Sequence, residues 1–187
     1  HPALMRATIE SIGVGNVIYV NDSFFIWGGK TPGVWSKVDD RLIRHQIQFN
    51  YHKMIDDNYT KSPIDSVLDL TKTEIFKDKH VFNTHTKIIN TINGELHHIN
   101  WEWVLHPQVR VNYCVTQIPG AFDPYAKAPR FRQFLAEIFK GYPDAEDKAM
   151  IILEMMGYSL LSTCCFEKFI MLIGSGANGK SVLLGVV

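Results

Sequence analysis

A run of glycine, lysine and serine near the end of the sequence has the spacing of a phosphate-binding loop. The segment Gly174–Ser181 matches the pattern G-x-x-x-x-G-K-[ST]. Glycines let backbone N–H groups curve around a phosphate, where a Cβ would obstruct the conformation. Lys180 would place its ammonium against the β- and γ-phosphate oxygens, and the Ser181 hydroxyl would bind Mg²⁺. The pattern therefore predicts a site for ATP and Mg²⁺.

Every residue of this loop belongs to the predicted site. Lys180 and Ser181 are the predicted catalytic residues, and Ser181 is the predicted ligand of the nucleotide-bound Mg²⁺. The predicted nucleotide-binding residues are Gly174, Ser175, Gly176, Ala177, Asn178, Gly179, Lys180 and Ser181.

The flanks of the loop support this prediction. Lys168–Ile173 is a short apolar run typical of a strand, and Val182–Val187 has the composition of a helix. This strand–loop–helix context favours a nucleotide site over a chance match. A helix beginning near Lys180 would point its positive dipole end at the same phosphates. Hydrolysis also needs an acidic Walker B residue and a group that orients water, and the sequence ends before the region where these usually occur.

Other residues raise weaker hypotheses. Four histidines suggest a metal site: His80, His85, His97 and His98. Neighbours on a strand point to opposite faces, and no Cys or carboxylate stands at a zinc-like spacing, so solvated or hydrogen-bonded histidines are favoured. For Cys164 and Cys165, a small apolar role is favoured over redox chemistry.

Aromatic and basic residues raise two hypotheses for contacts with single-stranded DNA. Trp101 and Trp103 could stack on bases, but their alternation favours a sheet face packed on the core. The better candidates lie on a predicted helix: Arg41, Arg44 and Lys53. Acidic residues bracket them and weaken this prediction: Asp39, Asp40, Asp56 and Asp57.

Composition limits the class of protein. The 187 residues carry 19 basic and 19 acidic side chains and are 46% hydrophobic, as in an ordinary globular protein. A net charge of zero gives no overall field to attract nucleic acid, so any phosphate contact must be local. No apolar run is long enough to span a membrane, and the odd number of cysteines favours a reducing, intracellular setting such as the cytoplasm. Because both ends look truncated, we expect a piece of a longer protein.

The first part of the sequence predicts a small α+β module of winged-helix type over residues 1–80. A helix ends at Gly13, and two β-rich runs flank Asn21-Asp22 as in a tight hairpin. Val34-Trp35 is a third short strand, and helices are expected to start after Ser36 or Asp39 and at Ser62-Pro63.

From residue 81 the pattern changes to strands and then helices. Lys87–Ile92 and Glu95–Ile99 flank Asn93-Gly94, which predicts a type I′ hairpin turn, and further strand is expected through the alternation of Val109, Val111 and Tyr113. Pro129 opens an amphipathic helix, and Asp144 caps another over about residues 145–162. We therefore expect a hairpin and helical region over 81–165, and the start of a P-loop ATPase domain over 166–187.

Several of these segments together resemble the phage/plasmid primase-helicase family. The resemblance is carried by Asn93–Leu96, Pro129–Leu135, Gly157–Leu160 and Phe169–Ser181, with Asn178 before Gly-Lys-Ser as its most distinctive residue. In that family, an N-terminal linking domain shared with poxvirus-type primase-helicases precedes a superfamily 3 helicase core.

The resemblance implies part of an ATP-dependent replicative DNA helicase of a phage, prophage or plasmid, often with a primase domain upstream. It implies a hexameric ring with ATP between subunits, and single-stranded or forked DNA, bound weakly by this part alone, as partner. The family's Walker B acids, polar sensor and arginine finger have no counterpart in this sequence. Two alternatives stay open: a non-catalytic DNA-binding or ring-assembly module, and an unrelated P-loop NTPase or kinase.

Overall fold

A computed structural model describes residues 1–55, 60–83, 85, 87–162, 166–174, 176 and 179–186. Within these ranges the chain forms six α-helices and two three-stranded antiparallel sheets, which confirms the predicted α+β class. The elements are α1 Pro2–Ile12, β1 Val17–Val20, β2 Ser23–Trp27, β3 Trp35–Val38, α2 Asp40–Met54, α3 Lys61–Glu74, β4 Ile88–Thr91, β5 Gly94–Ile99, β6 Glu102–His106, α4 Pro129–Ile138, α5 Ala145–Ser159 and α6 Lys180–Leu184.

The first sheet has the order β1-β2-β3 and starts with the predicted hairpin. Asn21 and Asp22 have φ values of 48° and 53°, so both central residues of the turn adopt the left-handed conformation that a type I′ hairpin needs. Val20 pairs with Ser23 across this turn. The local chemistry of two residues thus sets the register of the sheet.

Both faces of the first sheet are covered. On one face, Val17 and Phe24 pack with Leu4 of α1, Ile47 of α2 and Leu68 of α3. On the other face, Ile18, Val20 and Trp35 form a second cluster with Phe82 and Tyr113. Because side chains of a strand alternate between faces, burial of both faces explains why β1 and β2 are almost continuously apolar.

The helices of this module begin close to their predicted positions. Asp39 caps α2, and its carboxylate accepts the Arg41 N–H at 2.8 Å. The start predicted at Ser62-Pro63 was slightly late, because Thr60 is the cap position and α3 begins at Lys61. The winged-helix description of this module stays a prediction.

The second sheet has the order β4-β5-β6, and its first turn differs from the prediction. Thr91 pairs with Gly94, so the two loop residues are Ile92 and Asn93, and the type I′ turn predicted at Asn93-Gly94 is wrong. Gly94 is instead required by a close approach, since a Cβ there would lie 2.5 Å from the His106 carbonyl oxygen of β6. The Asn93 amide exchanges hydrogen bonds with Phe122, from Nδ2 to the carbonyl at 2.9 Å and from the Phe122 N–H to Oδ1 at 2.8 Å.

The strand predicted through Val109, Val111 and Tyr113 is also wrong. Residues 110–112 form a 3₁₀ turn, and Tyr113 follows in the left-handed region at φ 50°. This segment runs between the two sheets: the Trp35 indole N–H donates to the Arg110 carbonyl at 2.8 Å, and the Trp35 backbone N–H donates to the Cys114 carbonyl at 2.8 Å. We call residues 107–118 the connector.

The last part of the chain packs around a third apolar cluster. Leu135 of α4, Ile152 of α5 and Leu183 of α6 are its buried members. Helix α4 has the predicted start at Pro129, whereas α5 ends at Ser159, earlier than expected. Asp144 makes no capping hydrogen bond to the backbone and pairs instead with Lys148, Oδ1 to Nζ at 2.7 Å.

In the part of the chain that the structure describes, no helix combines the length and apolarity needed to cross a bilayer. The division into units at residues 80 and 165 stays a prediction.

Candidate functional site

The apolar segment before the predicted phosphate-binding loop is extended, but it is not a strand in the structure. Ile170 and Leu172 pack against the third cluster, while Phe169, Met171 and Ile173 are largely exposed. This alternation is that of a strand, yet no described segment pairs with it. Because a β-strand is completed by hydrogen bonds to a neighbour, the predicted strand Lys168–Ile173 is not formed.

Gly179 fixes the end of the loop against helix α4. Its φ of 79° lies in the left-handed region, and a Cβ would come within 2.7 Å of Ile138 Cγ2 and 3.1 Å of the Phe134 ring. Any other residue would therefore be strained both in its backbone and against α4. The amphipathic helix that begins at Pro129 thus positions the glycine that precedes Lys180.

Lys180 begins helix α6, as the sequence predicts, and its side chain folds back toward the start of the loop. The Nζ atom donates a hydrogen bond to the Gly174 carbonyl oxygen at 3.0 Å. The first glycine and the lysine of the motif are therefore adjacent in space. Ser181 is exposed in the first turn of α6.

Part of the predicted site lies outside the described residues. These are Ser175, Ala177 and Asn178; Gly176 is described, with a φ of 109°. The structure thus brings together Gly174, Gly179 and Lys180 and leaves Ser181 facing solvent.

A cavity of about 350 Å³ lies beside Lys180. Its walls are mainly apolar and come from α4, α5 and the extended segment, including Ile138, Ile151 and Ile173. Tyr142 and Lys148 also line it, with the Lys148 ammonium 3.9 Å from the centre of the Tyr142 ring.

A second polar centre, which the sequence analysis did not single out, surrounds Glu95. This carboxylate is completely buried. Its Oε1 accepts the Val109 N–H at 3.1 Å, and its Oε2 accepts the Asn112 amide and lies 3.3 Å from His97 Nε2. These donors come from the connector and from β5 itself, so Glu95 holds the connector against the second sheet. A single glutamate in a hairpin gives no sequence signal of such long-range partners.

Cys114 completes this centre. Its thiol lies 3.9 Å from Glu95 Oε1. Burial first, and then the neighbouring Glu95 charge, raise the pKa of the Cys114 thiol to about 12. The thiol therefore stays protonated at neutral pH and is a poor nucleophile.

The structure bears on the hypothesis of a histidine metal site, but it does not describe the cysteine pair considered for redox chemistry. Among the residues that the structure describes, no three His, Cys, Asp or Glu side chains are grouped to hold a metal ion. His97 and His98 share a strand, and His97 is hydrogen-bonded, as expected. Cys164 and Cys165 lie outside the described residues.

The basic residues considered for DNA contact lie on α2, and their role stays a prediction. Arg44 of α2 pairs with Asp65 of α3, so its guanidinium already has an anionic partner, while Arg41 and Lys53 are exposed. Asp56 and Asp57 are outside the described residues. The predicted packing of Trp101 and Trp103 on the core is wrong, because these side chains are 93% and 41% exposed.

A family model described as D5 N terminal like matches residues 6–140 of the chain. The match covers more than half of the sequence, and the chain belongs to this family. This family is the N-terminal domain of phage- and poxvirus-type primase-helicases, and the match confirms the resemblance noted in the sequence. No curated protein matches the chain. The matched range includes both sheets and helix α4 and ends before the predicted phosphate-binding motif.

Proposed function

We propose that this chain is part of an ATP-dependent replicative DNA helicase of a phage, prophage or plasmid, and that it contributes the linking domain and the Walker A loop. The observation that carries the proposal is a D5 N-terminal domain followed in the same chain by G-x-x-x-x-G-K-S. A phosphate-binding loop by itself fits many NTPases. Its position after this domain supports the helicase over an unrelated NTPase or kinase.

The local geometry fits a nucleotide phosphate. Gly179 has the positive φ and the close backbone approach that no other residue tolerates there. Lys180 Nζ, now 3.0 Å from the Gly174 carbonyl, would exchange this neutral partner for phosphate oxygens, to which a charged donor binds more strongly. Ser181 is exposed in the first turn of α6, so its hydroxyl is free to bind a nucleotide-bound Mg²⁺ in this role. In this role the chain's residues bind and orient the triphosphate.

The test is a titration of the protein with ATP in the presence of Mg²⁺, for the wild type and Lys180→Ala. Loss of a charged hydrogen-bond donor to phosphate should weaken binding about tenfold or more. Lys140→Ala is the matched control, since this exposed lysine at the end of α4 lies outside the motif. Equal ATP affinity in Lys180→Ala and the wild type would exclude the role given to Lys180.

The other parts of the proposal concern assembly and DNA. A protein of this class would form a ring, often a hexamer, and move on single-stranded or forked DNA. Sedimentation of the full-length protein with and without ATP tests assembly. A single species at the mass of one chain under both conditions would count against ring formation.

One observation favours a second candidate function, a non-catalytic DNA-binding or ring-assembly module. The family match ends at Lys140, so the region that defines the family does not include the loop. On this alternative, Lys180→Ala would leave every measured property of the chain unchanged.

A further inference from the structure

The hairpin between β5 and β6 displays an indole almost entirely in solvent. Ile99 pairs with Glu102, so Asn100 and Trp101 are the two loop residues. Their φ values are 50° and 70°, which suits the twist of a type I′ turn. A bulky aromatic side chain with a positive φ is uncommon. The turn thus holds Trp101 outward in a conformation that glycine would adopt at less cost.

A histidine lies between this indole and a second one. His98 is opposite Trp103 in the register of β5 and β6. Its ring centre lies 5.1 Å from that of Trp103, and 6.1 Å from that of Trp101 at an interplanar angle of 88°. We call His98, Trp101 and Trp103 the tryptophan patch. All three side chains of the patch are exposed to solvent.

A lysine lies directly beside the patch. Ile88 pairs with His97, so Lys87, one residue earlier, lies next to His98 across the sheet. Lys87, His85, His97 and His98 line a shared open cavity of about 500 Å³, and no described residue of its lining is acidic. His97 is engaged with the buried Glu95 carboxylate, and both His97 and Glu102 follow the alternation to the face opposite His98 and Trp103. Lys87 is therefore the charged group beside the patch.

We propose that the tryptophan patch, with Lys87, is a binding site for single-stranded DNA. Exposed indoles give flat apolar surfaces on which unpaired bases stack, and the adjacent Lys87 ammonium suits the phosphates that link those bases. The Lys87 ammonium beside the stacking surface favours an anionic partner such as unpaired DNA. The choice of DNA over RNA rests on the proposed function. The evidence that the patch binds a single-stranded nucleic acid comes from its geometry alone.

A stacking site is compatible with the zero net charge of the chain. The chain has no net charge to attract nucleic acid, so an interaction here must be short-ranged. Stacking depends on contact rather than on a long-range field, and it tolerates any base because each has a flat face. We therefore expect binding with little sequence preference and with a modest salt dependence, set mainly by Lys87.

The test is fluorescence anisotropy of a labelled oligothymidine at about 50 mM and about 200 mM NaCl. Trp101→Ala should weaken binding about tenfold, Trp101→Ala/Trp103→Ala more, and Trp101→Phe much less, because a phenyl ring still stacks. Lys87→Ala should reduce the slope of log affinity against log salt by about 0.7. Tyr125→Ala is the matched control, since its ring is 87% exposed and lies outside the patch.

Trp101→Gly is a second variant that separates binding from folding. It removes the stacking surface where glycine suits the backbone, so it should lose affinity as Trp101→Ala does while remaining folded. Measuring ATP binding in the same samples distinguishes this proposal from the nucleotide site, since patch variants should leave ATP affinity unchanged and Lys180→Ala should leave oligothymidine affinity unchanged.

Three results would overturn the proposal. The first is wild-type affinity in the double tryptophan variant, and the second is tighter binding of duplex DNA or oligouridine than of oligothymidine. The third is the absence of oligothymidine binding by the wild type at low salt, which would leave the patch to a protein partner.

Discussion

At the scale of single residues, Trp101 combines an unfavourable backbone conformation with an exposed side chain. Its φ of 70° places a large side chain in the left-handed region, where an L-residue other than glycine, asparagine or aspartate costs roughly 1–2 kcal/mol. With 93% of its surface exposed, the indole recovers almost nothing through burial. The fold alone gives no reason for a tryptophan at this position, whereas the proposed binding of single-stranded DNA does.

Trp101→Gly should therefore stabilise the protein. Relief of backbone strain outweighs the added freedom of glycine in the unfolded chain, for a net gain of about 0.5 kcal/mol. Urea denaturation of the wild type and the variant measures it. Trp103→Ala is the comparison, since Trp103 lies in β6 and has no positive φ, so it should show no gain. Equal or lower stability of Trp101→Gly would mean that the indole has packing contacts that matter.

At the scale of elements, the connector depends on one buried carboxylate. Glu95 of β5 accepts hydrogen bonds from Val109 and Asn112, and the connector then receives two hydrogen bonds from Trp35 of β3. Hydrogen bonds in place of strand pairing explain why the apolar alternation of residues 109–113 does not become a strand. The element is shaped by a residue about fifteen positions away.

Glu95→Gln should lower the free energy of unfolding by about 1–3 kcal/mol, because the new NH₂ group faces donors and leaves at least one of them without an acceptor. Thermal or urea unfolding measures the change. Glu102→Gln is the matched control, an exposed glutamate on the next strand, and it should alter stability little. If both variants were equally stable, the Glu95 contacts would contribute nothing to the fold.

Local elements were predictable and long-range ones were not. The Asn21-Asp22 hairpin and the Asp39 cap follow from residues that interact with their own neighbours. The turn prediction at Asn93-Gly94 was wrong because both residues serve long-range contacts. Gly94 is required by the close approach of β6, and the Asn93 amide is hydrogen-bonded to Phe122. The exposure of Trp101 was missed for a related reason: alternation predicts two faces of a strand, and does not say whether anything covers either of them.

At the scale of the whole molecule, a polar seam joins the two sheets. The Asn90 amide of β4 donates to the Gly33 carbonyl at 2.9 Å, and the Gln108 amide donates to Asn90 Oδ1 at 3.0 Å. The Arg110 guanidinium reaches back to the Val14 carbonyl at 3.0 Å. None of these pairings follows from composition or periodicity. The family match across residues 6–140 spans both sides of the seam.

The first module also contains an ion pair between helices that makes its stability depend on pH. The Arg44 guanidinium of α2 bonds to Asp65 of α3 and holds the pKa of that carboxyl below its usual value of 3.8. A depressed folded-state pKa contributes stability above the unfolded pKa and loses it as the pH falls through the folded pKa. The contribution is therefore complete at neutral pH.

Asp65→Asn should lower the melting temperature near pH 7. The difference should shrink as the pH falls below about 3.8 and vanish once the pH is below the lower folded-state pKa, where the wild-type carboxyl is protonated too. Added NaCl should narrow the difference at pH 7, since the pair is about one-third exposed. Asp69→Asn, on an exposed face of the same helix, is the control. A difference that stays constant with pH would show that the asparagine acts through packing and not through charge.

The distribution of the four tryptophans gives the molecule two optical populations. Trp27 and Trp35 lie 5.8 Å apart between ring centres, and Trp35 is almost fully buried, whereas Trp101 and Trp103 face solvent. Iodide should quench the emission of the exposed pair and leave that of Trp35 bright. The fluorescence of buried Trp35 therefore reports on unfolding of the seam. The quenchable fluorescence of Trp101 and Trp103 reports on the proposed binding at the hairpin of the second sheet.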